Sequence, residues 1–190
     1  MLLSTVVIVP GLRDHVAAHW QTLLAAQLAA EGVPVRMVEP MGREDLACAR
    51  RVDALEQVVC AVQGPVVLVA HSGGVITVAH WAQQTACQVQ GALLAAPPDF
   101  EQPMPEGYPT VDQLREGGWL PVPRQALPFR CLAALSTNDP LGRFDRVQAL
   151  VDDWGCQAIN LGDVGHLNPA SGYGEWSQAL PLIRQLMQAI

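Results

Sequence analysis

Three residues that can share nucleophilic chemistry, Ser72, Asp139 and His166, stand where strand-like runs give way to loops. A serine hydroxyl is a weak nucleophile near neutral pH. It needs a base within hydrogen-bond reach, and the base needs a group that orients it. Ser72 lies in Val66-Val67-Leu68-Val69-Ala70-His71-Ser72-Gly73-Gly74. An apolar, β-branched run stops there, a serine with small neighbours follows, and a helical pattern begins. A strand, a sharp turn and a helix are written this way when the turn must hold a serine out of a sheet. Ala70 occupies the place of the first glycine in the G-x-S-x-G pattern. A Ser-Gly-Gly turn can also be a tight connection or a helix cap, so the partners must come from the rest of the chain.

The chain has five histidines. His166 is the preferred base: it lies in Gly162-Asp163-Val164-Gly165-His166-Leu167-Asn168, a glycine-flexible loop after a predicted strand. His71 adjoins Ser72 and would leave the turn in another direction, to pack or hydrogen-bond beside it. His80 falls about two helical turns further on. His15 and His19 precede the first helix, and His19 with Trp20 reads as an anchor for it. Asp139, in Ser136-Thr137-Asn138-Asp139-Pro140, is the preferred acid, although Asn-Asp-Pro is also a common turn or cap. Asp163 is the fallback and Asp99 a weaker alternative. Asp145, Asp152 and Asp153 read as solvated or capping charges. The chain order Ser, Asp, His matches one known arrangement of such triads. An oxyanion hole is expected from the backbone N–H of Gly73 and of Leu12, the latter in the loop Pro10-Gly11-Leu12-Arg13.

These residues need a scaffold that gathers strand ends. Short apolar runs alternate with helical periodicity. Strands are predicted over 5–9, 33–38, 66–70, 91–95, 129–135 and 157–161, and helices over 16–30, 44–62, 74–84, 145–154 and 175–189. This alternation implies a mostly parallel, doubly wound α/β sheet with helices on both faces. Ligands bind beyond the carboxyl ends of such strands, which is where all three candidates fall. Residues 97–128 break the pattern with eight prolines. Little regular structure is expected there, and the segment reads either as a cover that shapes the pocket or as a structural wrap over the sheet.

At 190 residues the chain fits one domain, 1–190. Half of it is hydrophobic, and the formal net charge of −7 argues against a nucleic-acid partner. Five cysteines without a C-x-x-C pair read as free, mostly buried thiols in a reducing compartment. No run approaches the roughly 18 apolar residues of a membrane span, and no basic residue precedes the apolar start. A cytoplasmic protein with no membrane partner is therefore expected. Oligomeric state is not readable.

The ordered set Val9-Pro10-Gly11, His19-Trp20-Gln21, Val69-Ala70-His71-Ser72, Ala79-His80-Trp81, Pro97-Pro98-Asp99, Leu127-Pro128-Phe129, Ser136–Pro140, Trp154-Gly155, Gly165–Asn168 and Ser171–Trp176 resembles the small serine hydrolases of the YdeN and retinoblastoma-binding-protein-9 type, within the α/β-hydrolase superfamily. The resemblance runs through essentially the whole chain. It implies a reduced α/β-hydrolase fold with six strands in the order 2-1-3-4-5-6 and no large helical lid. It also implies a Ser72-Asp139-His166 triad, with no metal or organic cofactor. Two positions depart from the family. Arg13-Asp14-His15-Val16 stands where an Asn-Ser-Gly-Pro-like loop is frequent, and Gly73 stands where a larger residue is common.

The expected activity is esterase-like hydrolysis of a small-molecule ester, thioester or amide through an acyl-enzyme. The alternatives are a non-catalytic interaction module that keeps the fold, or an acyltransferase.

Overall fold

In the computed structural model, which describes residues 3–13 and 16–188, six parallel strands form one sheet in the order β2-β1-β3-β4-β5-β6. They are β1 (Thr5–Val9), β2 (Val35–Met37), β3 (Val66–His71), β4 (Gly91–Ala95), β5 (Arg130–Leu135) and β6 (Gln157–Asn160). The expected strand order is the one observed. Side chains alternate across the sheet. Val6, Ile8, Val67 and Val69 join a core with α1 (Trp20–Ala30) and α6 (Ala179–Met187). Val7, Val9, Leu68 and Ala70 join the opposite core with α2 (Cys48–Cys60), α3 (Gly73–Trp81) and α5 (Phe144–Asp153). Because both faces are covered, β1, β3 and β4 are buried along their whole length, while the edge strands β2 and β6 are only half-buried.

The first helix is shorter than the apolar periodicity suggests, because a cap sets its start. His19 caps α1: the Gln21 N–H donates to His19 Nδ1 at 3.2 Å. The helix therefore starts at Trp20, not at residue 16. The predicted end of the last helix at 189 lies outside the described residues. Residues 97–128 are not wholly irregular. They contain α4 (Val111–Glu116), opened by a capping box in which the Gln113 N–H donates to Thr110 Oγ1 and the Thr110 N–H donates to Gln113 Oε1. The Thr-x-x-Gln spacing was the available signal, masked by the density of prolines around it.

The cysteine expectation is corrected. Cys60–Cys87 and Cys131–Cys156 are disulfides, and Cys48 alone is free and buried. Each pair is far apart in sequence. Cys60 ends α2 while Cys87 precedes β4, and Cys131 lies on β5 while Cys156 precedes the neighbouring β6. Only the packing of those elements brings the sulfurs together. Disulfides are typical of oxidising compartments, so the cysteines give no argument for a cytoplasmic setting. Among the described residues no helix is long and apolar enough to cross a membrane.

Candidate active site

Ser72 sits at the tip of the β3–α3 turn with φ 55° and ψ −131°, a region that side chains other than glycine rarely adopt. Its surroundings hold it there. The Ser72 N–H donates to the Ala95 carbonyl at 3.0 Å, and the Ser72 carbonyl accepts from the Val75 N–H at 2.9 Å. Small neighbours make the turn possible. A Cβ on Gly74 would lie 2.5 Å from the Pro10 carbonyl oxygen and 2.6 Å from that of Val9, so the helix start can cross the end of β1 only without a side chain. Ala70, buried in the sheet, fills the first position of the pattern without disturbing the turn.

Two loops bring partners to the serine. His166 Nε2 lies 2.8 Å from Ser72 Oγ, and His166 Nδ1 lies 2.8 Å from Asp139 Oδ2. A carboxylate only accepts, so the Nδ1 facing it carries the proton and the bare Nε2 accepts from the serine hydroxyl. Asp139 is held from its other side: Oδ1 accepts from the Leu141 N–H at 2.8 Å, an Asx turn after β5. The His166 backbone is fixed at both ends. Its N–H donates to Ser171 Oγ at 3.0 Å, and its carbonyl faces His71 Nε2 at 2.9 Å. Gly165 and Leu167 on either side both have positive φ, 58° and 47°, so the loop turns sharply to present the ring.

His71 is buried beneath this arrangement. Its ring lies 5.0 Å from that of His166 and 4.8 Å from that of His19. Burial chiefly, with the neighbouring histidines, holds its pKa well below the ordinary value, against the opposing pull of the His166 carbonyl. His71 is therefore neutral at pH 7, with Nε2–H donating to that carbonyl. The other candidates serve elsewhere. His80 Nε2 faces the Trp119 carbonyl at 3.0 Å, and burial lowers its pKa. Asp163 accepts from Thr137 Oγ1 and Asp99 pairs with Arg146. Asp145 pairs with Arg143, Asp152 accepts from Gln148, and Asp153 pairs with Arg124. His15 lies outside the described residues.

The loop after β1 reaches Ser72 directly. A Cβ on Gly11 would stand 3.2 Å from Ser72 Cβ, and one on Gly73 would stand 3.3 Å from the Leu12 backbone nitrogen. The N–H of Gly73 is the first of α3 and has no acceptor within the helix. The departure at Gly73 also has a packing reason: a Cβ there would come within 2.5 Å of Leu12 Cγ, so the leucine takes the room that a larger residue would need.

Three further residues support the site, and for Gln21 and Asn138 the sequence carried no clear signal of the role. Gln21, buried in α1, donates through Nε2 to the Val9 and Val69 carbonyls at 3.0 and 3.1 Å, tying the ends of β1 and β3. Asn138 Oδ1 accepts from the Gly165 N–H at 2.6 Å, joining the acid loop to the base loop. Asn168 Oδ1 accepts from the N–H and Oγ of Ser171, both at 3.0 Å, and so holds the residue that receives the His166 N–H. The Asn-x-x-Ser spacing at 168–171 is a readable cap signal.

Above Ser72 opens a cavity of about 210 Å³, lined by Leu12, Phe100, Met104, Tyr108 and Leu141 among others. Ser72, His71 and His166 form part of its floor. The site is thus a hydroxyl poised against an imidazole at the base of a mainly apolar cleft.

Comparisons with known proteins bear on the fold and the family. A protein described as a YdeN-like hydrolase from Pectobacterium atrosepticum superposes with a TM-score of 0.79 at 26% identity, covering 97% of this chain and 91% of its own. The ydeN gene product of B. subtilis shares the fold at a TM-score of 0.79 and 17% identity, covering 97% and 98%. Thermogutta terrifontis esterase 2 shares it at 0.66 and 14% identity, covering 97% and 82%. A search of curated proteins finds no match. The family model for serine hydrolases matches residues 6–185. The chain therefore belongs to the serine hydrolase family and is an enzyme with an α/β-hydrolase fold similar to that of the YdeN-like hydrolases.

Proposed function

We propose that the protein hydrolyses a carboxylic ester, or a related thioester or amide, through an acyl-enzyme on Ser72. The observation that carries this reading is the pair of 2.8 Å contacts from Ser72 Oγ to His166 Nε2 and from His166 Nδ1 to Asp139 Oδ2. In the first step Ser72 Oγ bonds to the substrate carbonyl carbon while His166 Nε2 takes its proton. Asp139 keeps the ring in the required tautomer and stabilises the imidazolium. The Leu12 and Gly73 N–H groups donate to the oxyanion, each such donor being worth about 10²–10³ in rate. His166 then protonates the leaving alcohol, thiol or amine. Water repeats the sequence in reverse and frees the acid and Ser72.

A fluorophosphonate probe tests the nucleophile. It should label Ser72, and peptide mapping should place the adduct there. Ser72→Ala should abolish labelling and lower turnover of a 4-nitrophenyl ester by about 10⁶. A folded protein that ignores the probe would instead favour a non-catalytic interaction role. Near-normal turnover by the variant would place the nucleophile elsewhere. Product analysis with added alcohols or amines separates a hydrolase from an acyltransferase.

A further inference from the structure

Among the described residues that line the cleft above Ser72, Arg13 is the one side chain of fixed charge, and no Asp or Glu stands among them. In a chain of net charge −7, a guanidinium inside a mainly apolar cleft stands out from its surroundings. Its position is built. The guanidinium carbon lies 3.8 Å over the Tyr108 ring, and Nη2 donates to the Gly107 carbonyl. Gly107 presents that carbonyl at φ +83°, a conformation suited to glycine. Stacking on an aromatic face and one backbone hydrogen bond fix the plane of the group. Among the described residues Arg13 has no carboxylate partner, whereas Arg50, Arg115, Arg124, Arg143, Arg146 and Arg184 each have one. A stacked guanidinium keeps donors at the edge of its plane, where a carboxylate can accept two parallel hydrogen bonds.

We propose that Arg13 reads a carboxylate on the substrate, so that the enzyme prefers esters carrying one anionic group separated from the scissile carbonyl by an apolar stretch. This rests on the esterase reading of Ser72. The apolar stretch would lie along Met104 and Phe100, which line the same cleft. A carboxylate fits better than a phosphate monoester. One guanidinium balances one charge, and no second arginine or lysine stands among the described residues lining the cleft to balance the other. Arg13 belongs to the loop that departs from the family pattern, where a difference in specificity would be written.

The test compares kcat/KM for mono-4-nitrophenyl suberate and 4-nitrophenyl octanoate, and for 4-acetoxybenzoate and its methyl ester. The first pair places the anion on the acyl side, the second on the alcohol side. A preference for the anionic member of either pair is expected. It should fall about ten- to hundredfold in Arg13→Gln, recover in part in Arg13→Lys, and shrink as salt rises. Arg43→Gln, a charge loss at an exposed site, should leave the ratio unchanged. The absence of any preference, or a preference that survives Arg13→Gln, overturns the proposal while leaving ester hydrolysis intact. If no ester turns over, the esterase reading fails, and calorimetric binding of suberate dianion to the wild-type and Arg13→Gln proteins decides the anion site alone. Equal affinities there would overturn it, and weaker binding by the variant would uphold it.

Discussion

Between Ala70 and Gly74 the backbone is set by close neighbours: the end of β4 at Ala95, the end of β1 at Val9 with Pro10 after it, and the first turn of α3. Residues 97–128 are held quite differently. Their later half is driven into the core by single long-range anchors. Trp119, fully buried, donates from Nε1 to the Leu46 carbonyl at 2.8 Å, and the Leu127 N–H donates to the Trp154 carbonyl at 3.0 Å. Their earlier half, with Pro98, Phe100, Met104 and Tyr108, walls the cleft. The contrast separates two tasks. The reacting atoms need positions fixed to fractions of an ångström, which short, strained, small-residue turns provide. The substrate wall needs shape and apolar area, which many sequences can supply.

Substitutions can test that separation. The largest effect after loss of the serine is expected for Asp139→Asn, which keeps the shape but removes the charge that selects the His166 tautomer. Turnover should fall by about 10⁴ for every ester alike, read as kcat across acyl chain lengths. A loss confined to one chain length would put Asp139 in the substrate wall instead. Gly74→Ala comes next. Its Cβ would meet two backbone carbonyl oxygens, and overpacking of this kind costs about 1–3 kcal/mol, visible as a lowered urea midpoint. An unchanged midpoint would mean that the turn can relax.

Met104→Ala should act on selectivity. The ratio of kcat/KM between long and short acyl esters should shift by about tenfold, with fluorophosphonate labelling of Ser72 retained. A uniform fall in kcat would erase the distinction between wall and machinery. The smallest effect concerns pH. His71 has a folded-state pKa held well below its ordinary value by burial, and His80 is lowered in the same direction. In that window the unfolded chain binds more protons, so stability rises with pH. The urea midpoint should therefore decline as pH falls below about 6.5, and His71→Gln should flatten the decline. A slope that persists unchanged would assign the effect to other groups.

The sequence carried further for the machinery than for the wall, and particular residues show why. Ser72, Asp139 and His166 each follow a strand, and a parallel sheet brings the ends of its strands together without further information. The strand order was implied by the family resemblance, because right-handed crossovers alone leave several orders open. Gln21 and His71 were harder to read. A buried glutamine or histidine announces no partner, and their roles depend on carbonyls from β1, β3 and the base loop. The paired cysteines were misread for the same reason.

Alternation of apolar periods, small residues around one serine, and an Asp and a His after later strands were enough to determine a doubly wound sheet with a sharp serine turn and two partner loops at its carboxyl end. Each of these is a local pattern whose physical consequence is local. Tertiary structure alone decided the rest: the Cys60–Cys87 and Cys131–Cys156 pairings, the His71 hydrogen bond beneath the base, and the stacking of Arg13 on Tyr108. Each joins residues whose approach depends on how whole elements and loops pack, and packing is a property of the assembled core rather than of any one stretch of chain.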